Sequence, residues 1–143
     1  MKPPLRSALR ISGVICLVLA ALFATQPAVA DGLAFGTMDD MGTVGIPAGV
    51  DAHMVRDAIV RALEGRKWTV QSQSDTTVVG YLKHRGYEAK LTFVYDAVHV
   101  RILSDSYKID SSGHLEERGI PDRWVRNLKN DIPRFLAAAR AKH

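Results

Sequence analysis

Acidic residues are missing from the first thirty positions, which carry only the bases Lys2, Arg6 and Arg10. Cysteine is nearly absent, with Cys16 alone in 143 residues. No two histidines among His53, His84, His99, His114 and His143 stand three or four residues apart, so helical metal-ligand spacing is missing. There is no Gly-x-Ser-x-Gly nucleophile elbow. The stretches Ser104–Ser106 and Asp110–Ser112 lack the regular ligand ladder of a calcium loop. These absences leave no catalytic, metal or cofactor constellation, and the expectation is no enzyme, no metal and no cofactor.

The acid-free start continues as an apolar run from Ile11 to Ala24, then Thr25-Gln26-Pro27 and Ala28-Val29-Ala30. A positive start, an apolar middle and a small-x-small end are what signal peptidase reads. Residues 1–30 are therefore expected to be a cleaved signal peptide, with Asp31 as the new N-terminus. A retained anchor is the alternative, but about 20 residues are needed to span a bilayer and this run is shorter. Lipidation at Cys16 would need a small residue before it, and Ile15 stands there, in the middle of the run. Cleavage would also remove the one cysteine, so the exported part could hold no disulfide and must rely on its core.

Charge changes with cleavage. The chain has 19 Lys and Arg against 15 Asp and Glu. Without the three leader bases this becomes 16 against 15, a net of +1. Such a balance gives no basic field for nucleic acid.

Residues 31–49 are punctuated by five glycines and keep no period, so they read as a flexible arm with at most a short strand near Thr43 to Ile46. Residues 50–143 read as one α+β domain. Asp51 caps a helix to about Glu64, with Met54, Val55, Ala58, Ile59, Ala62 and Leu63 on one stripe and Gly65 as its stop. The period then changes to two, which predicts strands near 67–73, 78–85, 87–95 and 98–103, with a fifth short strand at 106–110. Short links make them an antiparallel meander. A last helix runs from Pro121 to about Lys142, with an expected kink at Pro133.

A one-residue slip in register exchanges the faces of a strand. Pairing Lys83 with Ala89 and Tyr95 with Val98 gathers Trp68, Val70, Val79, Tyr81, Leu91, Phe93, Tyr95, Val98, Val100 and Ile102 on one face. The other face then carries His84, Glu88, Lys90, Thr92, His99 and Arg101, together with Val78, Leu82, Val94 and Leu103. The predicted architecture is a two-layer sandwich, a four- or five-stranded antiparallel meander with an N-terminal and a C-terminal helix on one face.

Arg-Lys-Trp at 66–68, Ser-Asp-Ser-Tyr at 104–107 and Arg-Trp-Val-Arg-Asn-Leu at 123–128, in this order of elements, resemble a family of small, lipoprotein-like proteobacterial envelope proteins. The resemblance covers roughly Asp51 to Ala138. It implies an envelope location and supplies no catalytic residues. This chain departs from the lipoprotein members in lacking a lipobox, which implies a soluble periplasmic form.

The expected function is a non-enzymatic binding or accessory domain of the periplasm, taking an unidentified envelope protein or peptide. Its candidate partner surface is the open sheet face with His84, Glu88, Lys90, Thr92, His99 and Arg101. Arg123, Arg126 and Arg134 form a strip on the last helix that suits an anionic membrane surface, the alternative being a solvated helix face. Trp68 and Trp124 read as core. A second reading is a carrier holding an apolar molecule in a cavity lined by Trp68, Tyr81, Phe93 and Trp124. An enzyme would need Ser104, Asp105, Tyr107 and His114 to converge.

Overall fold

A computed structural model describes residues 38–119 and 121–142. The expected leader, residues 31–37 of the expected arm, and His143 lie outside the described residues. The elements are β1 (Asp39–Gly45), α1 (Ala52–Gly65), β2 (Thr69–Gln73), β3 (Thr77–His84), β4 (Tyr87–Tyr95), β5 (His99–Ile109), β6 (Leu115–Arg118) and α2 (Asp122–Arg140). The fold is α+β. Its antiparallel sheet has the order β1-β5-β4-β3-β2, and β6 pairs with the far half of β5.

Helix α1 begins where Asp51 Oδ1 accepts a hydrogen bond from the Met54 N–H at 2.8 Å, satisfying one of the donors a helix start leaves unpaired. Its stripe of Val55, Ala58, Ile59, Ala62 and Leu63 is buried. Its end differs from expectation. Gly65 is still helical, and the chain turns at Lys67, whose φ is 67°. The Trp68 N–H donates to Leu63 O and the Lys67 N–H to Glu64 O, both at 3.0 Å. This is the Schellman arrangement, with a lysine where glycine is usual.

The meander β2–β5 forms as expected, but two registers differ. Sequence reading allowed only Gly86 as the β3–β4 turn. The chain instead uses Arg85 and Gly86, with φ of 46° and 78°, and pairs His84 with Tyr87. Positive φ at both central residues is the mirror-image turn whose twist suits a hairpin. That extra turn residue slips β3 by one place and exchanges its faces. Val78 faces Phe93, Gly80 faces Leu91 and Leu82 faces Ala89. Val79 and Tyr81, expected in the core, lie on the open face instead, while Val78 is fully buried. His84, expected on the open face, lies on the helix side.

The β4–β5 link is longer than expected. Asp96 Oδ1 accepts from the N–H groups of Val98 (2.6 Å) and His99 (2.7 Å), and Tyr95 pairs with Val100. The register moves by two, so the faces are kept. Val98, however, joins the turn and is 55% exposed, where the core was expected.

The glycine-rich segment is more ordered than an arm: Asp39–Gly45 forms β1 against β5, with a bulge between Asp40 and Thr43. The expected fifth strand at 106–110 is the continuation of β5. Its polar Ser104 and Ser106 are buried, and their hydroxyls bond each other at 2.7 Å.

One cluster forms the core: the α1 stripe, Val125, Leu128, Ile132 and Leu136 of α2, and Val78, Leu91, Phe93, Val100 and Ile102 of the sheet. Both helices therefore cover the same face, giving the expected two layers. Helix α2 runs through Pro133. No helix among the described residues is long and apolar enough to cross a membrane.

Candidate functional site

The expected partner surface is only partly assembled. Glu88, Lys90, Thr92, His99 and Arg101 lie on the open sheet face, Thr92 being buried among its neighbours. His84 is absent from this face because of the β3 slip. The charges that remain are largely matched across strands. Lys83 meets Glu88 at 3.1 Å, Arg101 meets Asp40 at 2.8 Å, and Arg118 lies 3.2 Å from Asp39 and 3.6 Å from Asp105. Exposed pairs of this kind contribute little stability, typically about 0–1 kcal/mol each, but they leave few charges seeking a partner. This is the pattern of a solvated antiparallel sheet.

The four residues considered for catalysis do not converge. Ser104 is buried on the helix side, Asp105 and Tyr107 lie on the open side, and His114 sits in the β5–β6 turn beside Asp110 at 3.3 Å. The four residues considered for an enclosed cavity are likewise divided. Tyr81 is on the open face, Phe93 is in the packed core, and only the two tryptophans meet. Among the described residues, no group of three or more His, Cys, Asp or Glu is placed to hold a metal. On α2, Arg123, Arg126 and Arg134 are all exposed, and Arg134 lies 3.7 Å from Asp131.

A different constellation forms where the two layers end. Trp124, in the first turn of α2, is only partly buried. It makes edge contacts with Trp68 (centroids 6.1 Å, interplanar angle 89°) and Tyr87 (5.7 Å, 69°), and a tilted contact with His84 (6.2 Å, 35°). Such geometries suit the ring quadrupole, and three of them hold one indole in place. The contributing residues come from the α1–β2 link, the β3–β4 hairpin and α2. The hairpin reaches Trp124 because the two-residue turn puts His84 and Tyr87 opposite each other on the helix side.

Two concavities share the Trp124 wall. One, of about 180 Å³, is lined by Arg66, Trp68, Leu82, His84, Arg85, Trp124 and Asn127. The other, of about 360 Å³, is lined by Arg85, Tyr87, Pro121, Asp122, Arg123 and Trp124. Arg66 is already engaged: its Nε donates to the buried Asp131 carboxylate at 2.6 Å, and that bond raises the guanidinium pKa further. Arg85 and Arg123 make no ion pair among the described residues, and Asp122 is the one acid on either lining.

The backbone adds a second sign. Among the described residues, the two non-glycine residues with positive φ are Lys67 and Arg85. Arg85 lines both concavities, and Lys67 lies between Arg66 and Trp68, which line the smaller one. A left-handed non-glycine residue costs roughly 1–2 kcal/mol, and such strain concentrates at functional sites. Of the two, Arg85 lies beside the aromatic wall, and Lys67 lines neither concavity. The sequence reading of both tryptophans as core holds for Trp68, which is buried in the core cluster, and only in part for Trp124, which is half-buried against it. The adjoining bases Arg66 and Lys67 beside Trp68, and Arg123 beside Trp124, were the signal available.

The arrangement can bind: apolar ring surface, a rigid indole and uncompensated guanidinium groups meet in a concave place. Nothing in it supplies a nucleophile with a partnered base. Compared with known protein families and with curated proteins, the chain matches none.

Proposed function

We propose that this chain is an exported binding domain of the bacterial envelope, with no catalytic chemistry of its own, and that it binds at its tryptophan end. The basic, acid-free start and the Ala28-Val29-Ala30 ending support export. The likeness of Arg-Lys-Trp and Arg-Trp-Val-Arg-Asn-Leu to small envelope proteins supports the same compartment. The observation that carries the binding reading is the contrast between two surfaces. Most charges on the open sheet face are paired with neighbours, Lys90 being an exception, while Arg85 and Arg123 make no ion pair among the described residues and lie beside a fixed indole.

A photo-reactive amino acid placed at Arg126, on the same helix but outside the lining, tests this in living cells. The intact mass of the recovered protein is expected to show a discrete adduct, and the adduct should vanish when Trp124→Ala is added. A probe at Lys90 on the open sheet face should give none. An adduct that survives Trp124→Ala, or one formed only at Lys90, would contradict the reading. The same mass reports export, since the recovered chain should begin at Asp31.

A further inference from the structure

We infer that the ligand of this end is a small organic anion built on a single planar ring, an aryl carboxylate or aryl phosphate. This inference rests on the binding reading above and adds the ligand's chemistry. Size comes first. An apolar cavity of about 150 Å³ accepts one benzene molecule, and the cavity between Trp68, Leu82 and Trp124 measures about 180 Å³. One six-membered ring fits there.

Polarity comes second. Trp68, Leu82 and Trp124 supply the apolar part of the lining, and Arg66, His84, Arg85 and Asn127 the polar part. Arg66 is neutralised by Asp131, which leaves Arg85 as the uncompensated charge on this cavity. A guanidinium binds a carboxylate or phosphate through paired N–H donors, and it also stacks on aromatic faces. One charge beside one ring-sized apolar space selects a ring with one anionic group.

Rigidity comes third, and it separates a small ligand from a membrane. An interfacial tryptophan that anchors a protein to lipid projects outward with its ring free to enter the headgroup layer. Trp124 is instead held by three ring neighbours and forms a wall. A preorganised wall spares a small ligand the cost of ordering its site.

Tryptophan fluorescence of the purified protein, titrated with simple probes, tests the inference. Phenyl phosphate and benzoate are expected to change the emission saturably. Benzyl alcohol supplies a ring without charge, and inorganic phosphate supplies charge without a ring. Each half alone should bind about 10- to 100-fold more weakly, the range of one charge-assisted hydrogen bond. Arg85→Ala should weaken phenyl phosphate by a similar factor, while Arg85→Lys should restore part of it. Arg123→Ala should weaken it less, because Arg123 lines only the outer cavity.

Equal binding of phenyl phosphate and inorganic phosphate would overturn the inference, as would binding unaffected by Arg85→Ala. Vesicles of anionic lipid that bind when both aryl anions fail would overturn it in favour of a lipid surface. If the aryl anions fail while the Trp124-dependent adduct in cells persists, the ligand class is wrong and the binding reading stands. If both fail, the site itself is wrong.

Discussion

The Phe93→Ala protein is expected to lose about 3–5 kcal/mol of unfolding free energy, read from urea denaturation at neutral pH. Phe93 is fully buried and belongs to the central strand of the sheet's covered face. Its partners across the two neighbouring strands are Val78 and Ile102, both also fully buried. Removing the ring forfeits its transfer from water and leaves a cavity whose walls belong to a continuous sheet, which cannot collapse far. A domain of this size has about 5–15 kcal/mol in total, so the loss is a large fraction of its stability. Val98→Ala is the control. With Val98 in the β4–β5 turn and largely exposed, its truncation should change stability by no more than about 0.5 kcal/mol. Similar losses at the two positions would contradict the β4–β5 register.

The Gly80→Leu protein is expected to be destabilised by about 3 kcal/mol or more. Gly80 faces α1, and a Cβ there would come within 2.6 Å of Leu63 Cδ2 and 3.0 Å of Cδ1. Leu63 is fully buried in the same cluster, so making room for a leucine side chain means displacing it and its packed neighbours under α1. Tyr81→Thr, one residue away but on the open face, should cost about 1 kcal/mol or less. This pair reads the β3 register directly. A tolerated Gly80→Leu with a severe Tyr81→Thr would restore the register first read from the sequence.

Those two strands show where the sequence was legible and where it was not. The helices were legible because Val55, Ala58, Ile59, Ala62 and Leu63, and Val125, Leu128, Ile132 and Leu136, repeat at helical steps and need no knowledge of their partners. The strands were legible as elements because their period is two. Their registers depend on turns, and a turn's length is a backbone property that residue type only suggests. Arg85 is a poor advertisement for a left-handed turn position, since Asn, Asp or Gly usually stands there. Reading a one-residue turn moved β3 by one place and carried Val78, Val79, Tyr81 and His84 to the wrong faces. The β4–β5 error was two places, which keeps parity, and so Phe93, Val100 and Ile102 were placed correctly.

Strand β1 was legible only at its end, as a short strand near Thr43 to Ile46, for a different reason. Glycines at 42 and 45 erase the alternation that marks a strand, and the segment is specified by its fit along β5 rather than by its own pattern. The polar residues from Ser104 to Ser106 concealed the continuity of β5, which the sequence divides into strands at 98–103 and 106–110. In the fold Ser104 and Ser106 satisfy each other, which is how a buried polar pair escapes a desolvation penalty.

The candidate site combined both obstacles. Each residue was visible, but their meeting depends on the β3–β4 turn and on the Schellman stop at Lys67. The decisive feature, a cation with no counter-ion, exists only in three dimensions. Arg66 and Arg85 look alike in the sequence. One is engaged by Asp131, sixty-five positions away, and the other is not.

The chain has two tryptophans, and Trp68 is 4% exposed, so collisional quenching of the unmodified protein reports chiefly on Trp124. Iodide and caesium quench the same excited state with opposite charge. Uncompensated Arg85 and Arg123 beside a reachable indole should make iodide much the stronger quencher at low ionic strength, with Arg85→Ala narrowing the difference. Equal quenching by the two ions, or a preference for caesium, would show that no unmatched positive charge faces Trp124.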